Sequence, residues 1–258
     1  MAIIDSVAIG SASKTAGDLT YKRVHGRTIA SQKIMSNKSN TPAQNASRVA
    51  FKMLSNITKD ASPMLKLTFF NVKYGTRRNN FIKSNKLLLT KIRDVLHGSY
   101  PLDIDGMSWL HTQLGDTIQR AVPVWGSGNV QMSGSIIAPS QADLQVDGMI
   151  AQPIEIGDQV NLFVFGFYDY DGGHYVILFN GTHVFEADDP LIGSNEFSLV
   201  SSDFPDLNIK FPAGASNVSL DFYANLTSND LKSISSVIRQ DLAMETKVSR
   251  TKSKDVEK

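Results

Sequence analysis

The sequence predicts an α+β protein, with a basic hairpin-and-helix segment followed by an antiparallel β-sandwich or small barrel and a C-terminal helix with a polar tail. Three observations support this prediction. A hairpin pattern runs directly into a capped helix start, short β-prone runs recur in the second half, and the charge changes sign between the halves. We therefore divide the chain into a hairpin and helical segment (1–100), a connecting region (101–128), an acidic β domain (129–227) and a C-terminal helix and tail (228–258).

The N-terminal segment opens with a hairpin pattern. Residues 1–17 alternate only loosely between apolar and polar side chains, so we expect an arm or an edge strand there. Residues 19–24 and 28–32 are both β-prone. His25 and Gly26 lie between these runs and can form a two-residue turn, because glycine adopts positive φ at no steric cost.

A helix start follows, marked by several signals at once. Thr41 is a good N-cap, Pro42 suits the first helical position, and Gln44 can complete a capping box with Thr41. Apolar side chains then recur at helical spacing, at Ala43, Ala46, Ala50, Phe51, Leu54 and Ile57. The run Asp60–Pro63 predicts the end of this helix.

The rest of the basic segment is predicted to be mainly helical. Residues 64–70 favour a short helix or strand, and residues 71–80 are expected to form a polar, basic loop that contains two adjacent arginines. Residues 81–96 have apolar side chains near helical spacing, and the glycine after His97 predicts the end of that helix.

From about residue 128 the pattern becomes typical of β-strands. Asp169–Gly173 predicts a turn with Asp-Gly at its centre. The spacing of the strands favours a β-sandwich or small barrel, and residues from 228 onward return to helical propensity before a polar tail. The β-prone runs are 130–137, 143–150, 159–167, 174–179, 182–185, 196–200 and 216–225.

The charge distribution is strongly asymmetric. Residues 1–100 hold 17 Lys and Arg against 4 Asp and Glu, whereas residues 101–230 hold 2 against 17. Residues 231–258 hold 7 against 4, so the whole chain has a net charge of only +1. A molecule with one basic part and one acidic part is suited to charged partners, because such asymmetry acts on association rather than on folding.

Two kinds of partner fit the basic part: the phosphates of a nucleic acid, or an acidic protein surface such as the acidic half of a neighbouring copy. Unlike faces on one subunit make heterologous contacts, which close into rings or grow into filaments. We predict that the hairpin and the capped helix start lie at such a contact. The predicted contact residues are Lys22, Arg23, Arg27, Lys33, Thr41, Gln44, Arg48, Arg77 and Arg78.

No catalytic, cofactor or metal site is predicted. The chain has no cysteine, its five histidines form no zinc motif, and no glycine-rich nucleotide motif occurs. The carboxylate pairs Asp169/Asp171 and Asp188/Asp189 lie in turns, where aspartate is favoured for bonding to its own backbone. A cation bound by Asp169, Asp171, Glu186 and Asp188 stays open as an alternative, although the spacing differs from that of an EF-hand loop.

The sequence also leads to an expectation about location. No apolar run approaches the roughly 20 residues that span a bilayer, and the N-terminus lacks the pattern of a signal peptide. We expect a protein that is assembled in the cytoplasm without processing and without a membrane partner.

The opening stretch contains a recognisable pattern of residues, made up of Gly10, Gly17-Asp18-Leu19-Thr20-Tyr21, Gly26-Arg27, Ser39-Asn40-Thr41-Pro42-Ala43-Gln44, Arg48, Phe51, Phe81 and Asn85. With this pattern the chain resembles two related groups of proteins: a domain family of unknown function abundant in Bacteroidetes, and the structural proteins of crAss-like tailed phages that infect those bacteria. The resemblance covers about the first 100 residues.

The resemblance implies a non-enzymatic virion component, such as a ring or collar protein at the head-to-tail junction or in the upper tail. Its implied partners are other copies of itself in a ring and neighbouring virion proteins, including the portal and other ring or tail proteins. A ring around the DNA path would also bring the basic part near DNA without sequence specificity. The expected location is the virion, after assembly in the host cytoplasm.

Two other functions are compatible with the sequence. The acidic β domain could bind a glycan or host surface, with Trp109, Trp125, Tyr168 and Tyr170 exposed along a groove. Nucleic-acid binding could instead be the main function, although the acidic half makes this less favourable for the whole chain.

Overall fold

The computed structural model describes residues 2–4, 14–16, 18–25, 27–33, 41–70, 75–114, 123–138 and 144–239. In these residues the fold is α+β, as predicted, with five helices and three sheets of antiparallel strands. The helices are α1 (Pro42–Asp60), α2 (Ser62–Thr68), α3 (Arg77–Ser84), α4 (Lys86–Leu96) and α5 (Gly106–Leu114). The strands are β1 (Ala2–Ile4), β2 (Lys14–Ala16), β3 (Leu19–Val24), β4 (Arg27–Gln32), β5 (Met132–Ile137), β6 (Gln145–Ile150), β7 (Gln159–Tyr170), β8 (Gly173–Val184), β9 (Glu196–Val200), β10 (Ser216–Thr227) and β11 (Ile238–Arg239).

The predicted hairpin is confirmed as the centre of an N-terminal sheet with strand order β1-β4-β3-β2. Val24 pairs with Arg27, which leaves two residues for the turn, and His25 there has a φ of 52°. The edge strands β1 and β2 confirm the edge-strand interpretation for part of residues 1–17. The other residues of that stretch lie outside the described residues.

The capped start of α1 is also confirmed. The Thr41 Oγ accepts a hydrogen bond from the Gln44 N–H at 3.3 Å, and the Gln44 Oε1 accepts one from the Thr41 N–H at 3.4 Å. These two bonds satisfy donors that would otherwise have no partner at a helix N-terminus. The helix ends at Asp60, and α2 begins two residues later at Ser62, as the proline-containing break predicts.

The region after α2 differs from the prediction. The two arginines predicted in a loop are the first residues of α3, which Thr76 caps by accepting from the Asn79 N–H at 3.2 Å. The single helix predicted over 81–96 is two helices, separated at Asn85. Asn85 is buried and its side chain bonds to both the N–H and the C=O of Val124, at 2.8 and 2.9 Å. The helix is interrupted where that side chain binds a distant peptide unit.

The helices pack against one face of a four-stranded sheet with order β11-β10-β7-β8, which we call the central sheet. Phe163, Phe165 and Phe167 of β7 point to this face, together with Tyr223 of β10. We call the five helices the helical layer. Their buried contribution to the shared cluster includes Met53, Leu54, Ile57, Met64, Phe69, Phe81, Leu88, Ile92, Trp109 and Leu110.

The opposite face of the central sheet is covered by a three-stranded sheet with order β5-β6-β9, which we call the outer sheet. Val160, Leu162 and Val164 of β7 point to this side. Successive side chains of a strand point to opposite faces of the sheet, and in β7 both sets are buried. Strand β7 is therefore an apolar strand with no solvent-facing side along most of its length. The outer sheet contributes Met132, Ile136, Val146, Ile150, Phe197 and Leu199 to this second cluster.

Strands β7 and β8 form one long hairpin. The two runs predicted at 174–179 and 182–185 are a single strand, β8, paired with β7 along its whole length. The predicted turn between β7 and β8 is confirmed, and its central residues Asp171 and Gly172 have φ values of 48° and 74°. Two positive φ values are the property of a type I′ turn, which favours Asp-Gly.

The helix predicted to start at residue 228 does not form in residues 228–239. These residues contain turns, an isolated pairing of Ile234 with Thr227, and β11. The Ser235 N–H donates to the Leu226 C=O at 2.8 Å, and Ile238 pairs with Ala224. Local helix propensity is overridden because this segment completes the central sheet. The rest of the predicted helix and tail lies outside the described residues.

None of the helices in the described ranges is both long and apolar enough to cross a membrane.

Candidate contact surfaces

The four cations predicted on the hairpin are all exposed, but they do not share one face. Lys22 pairs with Ile29 and Val24 pairs with Arg27, so Lys22 and Arg27 lie on the same face of the sheet. Arg23 lies on the opposite face, because side chains alternate along a strand. Lys33 follows β4, and its N–H donates to the Asp18 C=O at 2.6 Å. The hairpin therefore presents positive charge on both faces.

Two of the predicted contact residues at the start of α1, Thr41 and Gln44, have a structural function. Thr41 and Gln44 bond to each other in the capping box, so their side chains already have partners. Asn45 donates from Nδ2 to the Gly98 C=O at 3.1 Å, which ties this end of α1 to the end of α4. Arg48 is exposed on the next turn. A partner contact at this helix start stays a prediction.

Arg77 and Arg78 lie in a groove with two lysines that sequence analysis did not single out. The groove has a volume of about 440 Å³ and contains Lys59 from α1 and Lys66 from α2. We call it the basic groove. Lys59 and Lys66 lie on opposite sides of the predicted helix break, so only the fold brings them near the arginines. The other lining residues are Thr58, Ser62, Leu65, Gly75 and Thr76.

Hydrogen bonds hold both arginines of the basic groove in place. Arg77 donates from Nε to the Phe69 C=O at 3.1 Å, and Arg78 donates from a terminal nitrogen to the Ser55 Oγ. Cations at a helix N-terminus oppose the helix dipole. These bonds provide a local reason why α3 can begin with two arginines.

The charge asymmetry of the sequence becomes a difference between layers. Described residues 41–100 hold ten Lys and Arg against two Asp, while described residues 123–239 hold three against thirteen Asp and Glu. The first range is mostly the helical layer, and the second contains the central and outer sheets. Basic residues therefore concentrate in the helical layer, and acidic residues concentrate in the two sheets and their loops.

A polar network joins α1 to the segment before α5. The Asn56 Nδ2 donates to the Tyr100 hydroxyl at 2.7 Å, and that hydroxyl donates to the Asp105 Oδ2 at 2.8 Å. Burial, with the hydrogen bond to Asp105 as second cause, raises the pKa of Tyr100 to about 12. The ammonium group of Lys52 lies 3.8 Å from the centre of the Tyr100 ring.

Asp60 anchors the first turn of α5. Its Oδ2 accepts from the Met107 N–H at 2.8 Å, and burial raises its pKa. Gly106 has a φ of 59°, and a Cβ there would be 2.1 Å from the Asp60 Oδ2, so glycine is needed at this close approach. This arrangement fixes α5 against α1 and positions Trp109 towards the core.

Two of the turn carboxylates considered for catalysis or cation binding, Asp169 and Asp189, accept hydrogen bonds from other parts of the chain. The Asp169 oxygens lie 2.5 Å from the His174 Nδ1 and 2.6 Å from the Asn217 Nδ2. The Asn217 bond, and secondarily the His174 bond, lowers the pKa of Asp169. The Asp189 Oδ1 accepts from the Leu191 N–H at 2.9 Å. In the described part of the chain, no group of three or more potential ligands could hold a metal ion.

The prediction that two tryptophans are exposed along a glycan-binding groove is wrong. Trp109 and Trp125 are both only 4% exposed and belong to the core beneath the helical layer. Tyr170 is 43% exposed at the end of β7, and Tyr168 stacks on Tyr175 of β8 with ring centres 5.7 Å apart. An exposed tyrosine cluster therefore exists, but without the two larger rings.

One arrangement was missed by sequence analysis altogether. The His111 Nδ1 lies 3.3 Å from the Asp221 Oδ2, and the His111 Nε2 lies 3.1 Å from the Ser219 Oγ. Serine hydrolases use this order of groups, but they also need a substrate cleft and donors for the oxyanion. None of the three residues lines the basic groove or any of four further cavities in the described part of the chain. The triplet connects α5 to β10.

Comparisons with known proteins add little. No protein-family model matches the sequence, and no curated protein matches it. The matching solved structures include the E. coli curli protein CsgC, at 10% identity over 43% of this chain and 97% of that chain, with a TM-score of 0.18. At this TM-score the similarity supports no conclusion about fold or function.

Proposed function

We propose that this chain is a non-enzymatic structural subunit of a tailed-phage particle, forming a homo-oligomeric ring at the head-to-tail junction or in the upper tail. One observation carries the proposal: basic residues concentrate in the helical layer, whereas acidic residues concentrate in the two sheets and their loops. Unlike faces on opposite sides of one subunit attract in a head-to-tail arrangement. Repetition of that contact gives a ring when the rotation closes.

The layered β part supports the same proposal. We infer that the central and outer sheets form a sandwich, because β5, β6 and β9 share a buried cluster with one face of β7 and β10. A body with an apolar interior on both sides of the central sheet is rigid enough to keep its two charged faces apart. The exposed hairpin cations and Arg48 would then extend the basic face towards a neighbouring copy or another virion protein.

The proposal is tested by the salt dependence of assembly. Sedimentation velocity of the purified full-length chain should show oligomers at low salt that dissociate as ionic strength rises, because exposed charges are screened beyond about 10 Å at 0.1 M salt. A protein that sediments as a monomer at every salt concentration would contradict the ring. Negative-stain imaging of the low-salt species should show closed rings rather than fibres.

The exposed tyrosines favour one second candidate, a glycan-binding module. Tyr170 and Tyr175 are exposed, and Tyr168 packs against both Tyr175 and Phe211. Sugar rings often stack on such aromatic side chains. Binding on a glycan array that is lost in Tyr170→Ala, with sedimentation unchanged, would support this module over the ring.

A further inference from the structure

We propose that the basic groove binds the phosphodiester backbone of a nucleic acid. The proposal depends on the groove itself and holds whether or not the chain forms a ring. It extends the proposed function, which requires only a charged face and a neighbouring subunit.

Four cations from three helices converge on the groove. Lys59 lies in the last turn of α1, Lys66 lies in the last turn of α2, and Arg77 and Arg78 begin α3. All four line the same cavity, and its lining contains no aspartate or glutamate. Surfaces that only keep a protein soluble normally mix both signs. A concave site with cations alone is instead suited to an anion.

These cations form no ion pair with a carboxylate in the part of the chain that the structure describes. Among the described residues, none of the four lies within 4.0 Å of a carboxylate oxygen. Asp60 follows Lys59 directly and their charges interact, but the Asp60 carboxylate accepts from the Met107 N–H, and Asp60 does not line the groove. The positive charge of the groove is therefore available to a ligand.

The arginines are already oriented for binding. Arg77 uses Nε to hold the Phe69 C=O, so the two terminal nitrogens of its guanidinium have no hydrogen bond within the described residues. Arg78 is held by the Ser55 hydroxyl. A guanidinium that is fixed before binding loses less conformational freedom when it meets a phosphate, and its planar donors match two phosphate oxygens at once.

The chemistry of the lining favours phosphate over protein carboxylates. Lys, Arg, Ser and Thr side chains are among the groups that contact nucleic-acid backbones, and Ser62 and Thr76 add hydroxyls to the four cations. Duplex DNA supplies a negative charge about every 1.7 Å along its axis. A second copy of the chain would offer carboxylates instead, and the test below separates these two ligands.

The test compares two double variants of the full-length chain in binding to a short, fluorescently labelled, random-sequence DNA duplex. Lys59→Gln with Lys66→Gln removes two groove cations. Lys83→Gln with Lys86→Gln removes two exposed lysines of α3 and α4 that do not line the groove. Binding is measured by fluorescence anisotropy over a range of salt concentrations. Near-ultraviolet circular dichroism verifies that both variants are folded.

We expect the groove variant to lower the slope of log affinity against log salt by about 2, since each phosphate contact contributes about 0.9. At 0.1 M salt this corresponds to a loss of affinity on the order of tenfold to a hundredfold. The control variant should bind like the unmodified chain.

Three results would overturn the proposal. The unmodified chain could fail to bind DNA even at low salt. Both variants could lose affinity equally, which would mean that only net charge matters. The groove variant could keep DNA binding but lose self-association, which would assign the groove to another copy of the chain. Sedimentation in the same buffers tests ring formation separately. A monomer that binds DNA through the groove would contradict the ring proposal and leave the DNA-binding proposal intact.

Discussion

The helical layer and the outer sheet cover opposite faces of the same central sheet, yet the helical layer is rich in basic residues and the sheets with their loops are rich in acidic residues. Both are held by apolar side chains, with phenylalanines of β7 on the helical side and aliphatic side chains of β7 on the other. Burial of that kind does not depend on the sign of exposed charges. The difference in charge is therefore not required for folding, and it can serve association.

The comparison also separates two kinds of basic residue. The hairpin cations are exposed on both faces of a sheet, as expected for a surface that approaches a partner broadly. The cations of the basic groove converge on one concave site with arginines held in place. The hairpin cations are suited to long-range electrostatic attraction of a partner, and the cations of the basic groove are suited to binding a defined ligand.

The largest expected effect tests whether the two layers depend on each other. Leu162 is fully buried on the outer-sheet side of β7, while both tryptophans are buried on the helical side. Because the layers share the central sheet, Leu162→Ala should lower the free energy of unfolding by about 2–5 kcal/mol, as measured by tryptophan fluorescence during urea unfolding. Phe165→Ala, on the helical side, should cost about 3–5 kcal/mol by the same readout. An unchanged tryptophan transition in Leu162→Ala would show that the layers unfold independently.

The next effect concerns the connection between α3–α4 and the chain that leads into the sheets. Asn85→Ala removes a buried side chain that bonds to the partly buried N–H and C=O of Val124. Loss of such bonds costs about 1–3 kcal/mol, so the free energy of unfolding should fall by about that amount. Asn79→Ala, at an exposed site of α3, should change it by no more than about 0.5 kcal/mol. Equal effects of the two substitutions would contradict a structural role for Asn85.

A smaller effect is expected at the cap of α1. Thr41→Ala removes the acceptor for the Gln44 N–H and should lower stability by about 1 kcal/mol. Thr41→Ser keeps a hydroxyl and should restore most of that loss. Chemical denaturation of the three proteins provides the measurement. If Thr41→Ala and Thr41→Ser are equally unstable, the methyl group rather than the cap matters.

The smallest effect is the pH dependence of Asp60. Burial raises its pKa, so this carboxyl stabilises the fold below its unfolded pKa of 3.8, and the contribution is lost as pH rises through the folded pKa. Asp60→Asn keeps an acceptor for the Met107 N–H without the charge. We expect the variant to have a higher Tm than the parent at neutral pH, with the advantage disappearing in acid. A variant that is less stable than the parent at neutral pH would mean that the charge itself is needed.

The sequence was a good guide wherever local chemistry decides the structure. The hairpin and its two-residue turn, the capping box at Thr41 and the Asp-Gly turn between β7 and β8 depend on neighbouring residues, and all three form as predicted. The break at Asn85 could not be read in this way, because its cause is a peptide unit 39 residues away. The strand after residue 228 likewise depends on pairing with β10.

The candidate sites were also predictable only where they depend on local sequence. Charge counts predicted that cations would concentrate in the first part of the chain, but they did not indicate which ones would converge. Lys59 and Lys66 join Arg77 and Arg78 only through the packing of α1, α2 and α3. The sequence also predicts Trp109 and Trp125 on an exposed groove, because composition alone does not distinguish a binding surface from a core. Burial in this fold decides against them.

The central claim is that the basic face of one subunit docks against the acidic face of another. The most direct test mixes two variants, each of which has one of these faces neutralised. One variant neutralises hairpin cations (Lys22→Gln with Arg27→Gln), and the other neutralises exposed acids of the β part (Glu186→Gln with Glu196→Gln). In a head-to-tail contact each variant retains one intact face. Native mass spectrometry should therefore find each variant weakened in self-association and a one-to-one heterodimer on mixing. If both variants assemble like the unmodified chain, or if mixing restores no contact between them, the opposed charges do not drive assembly.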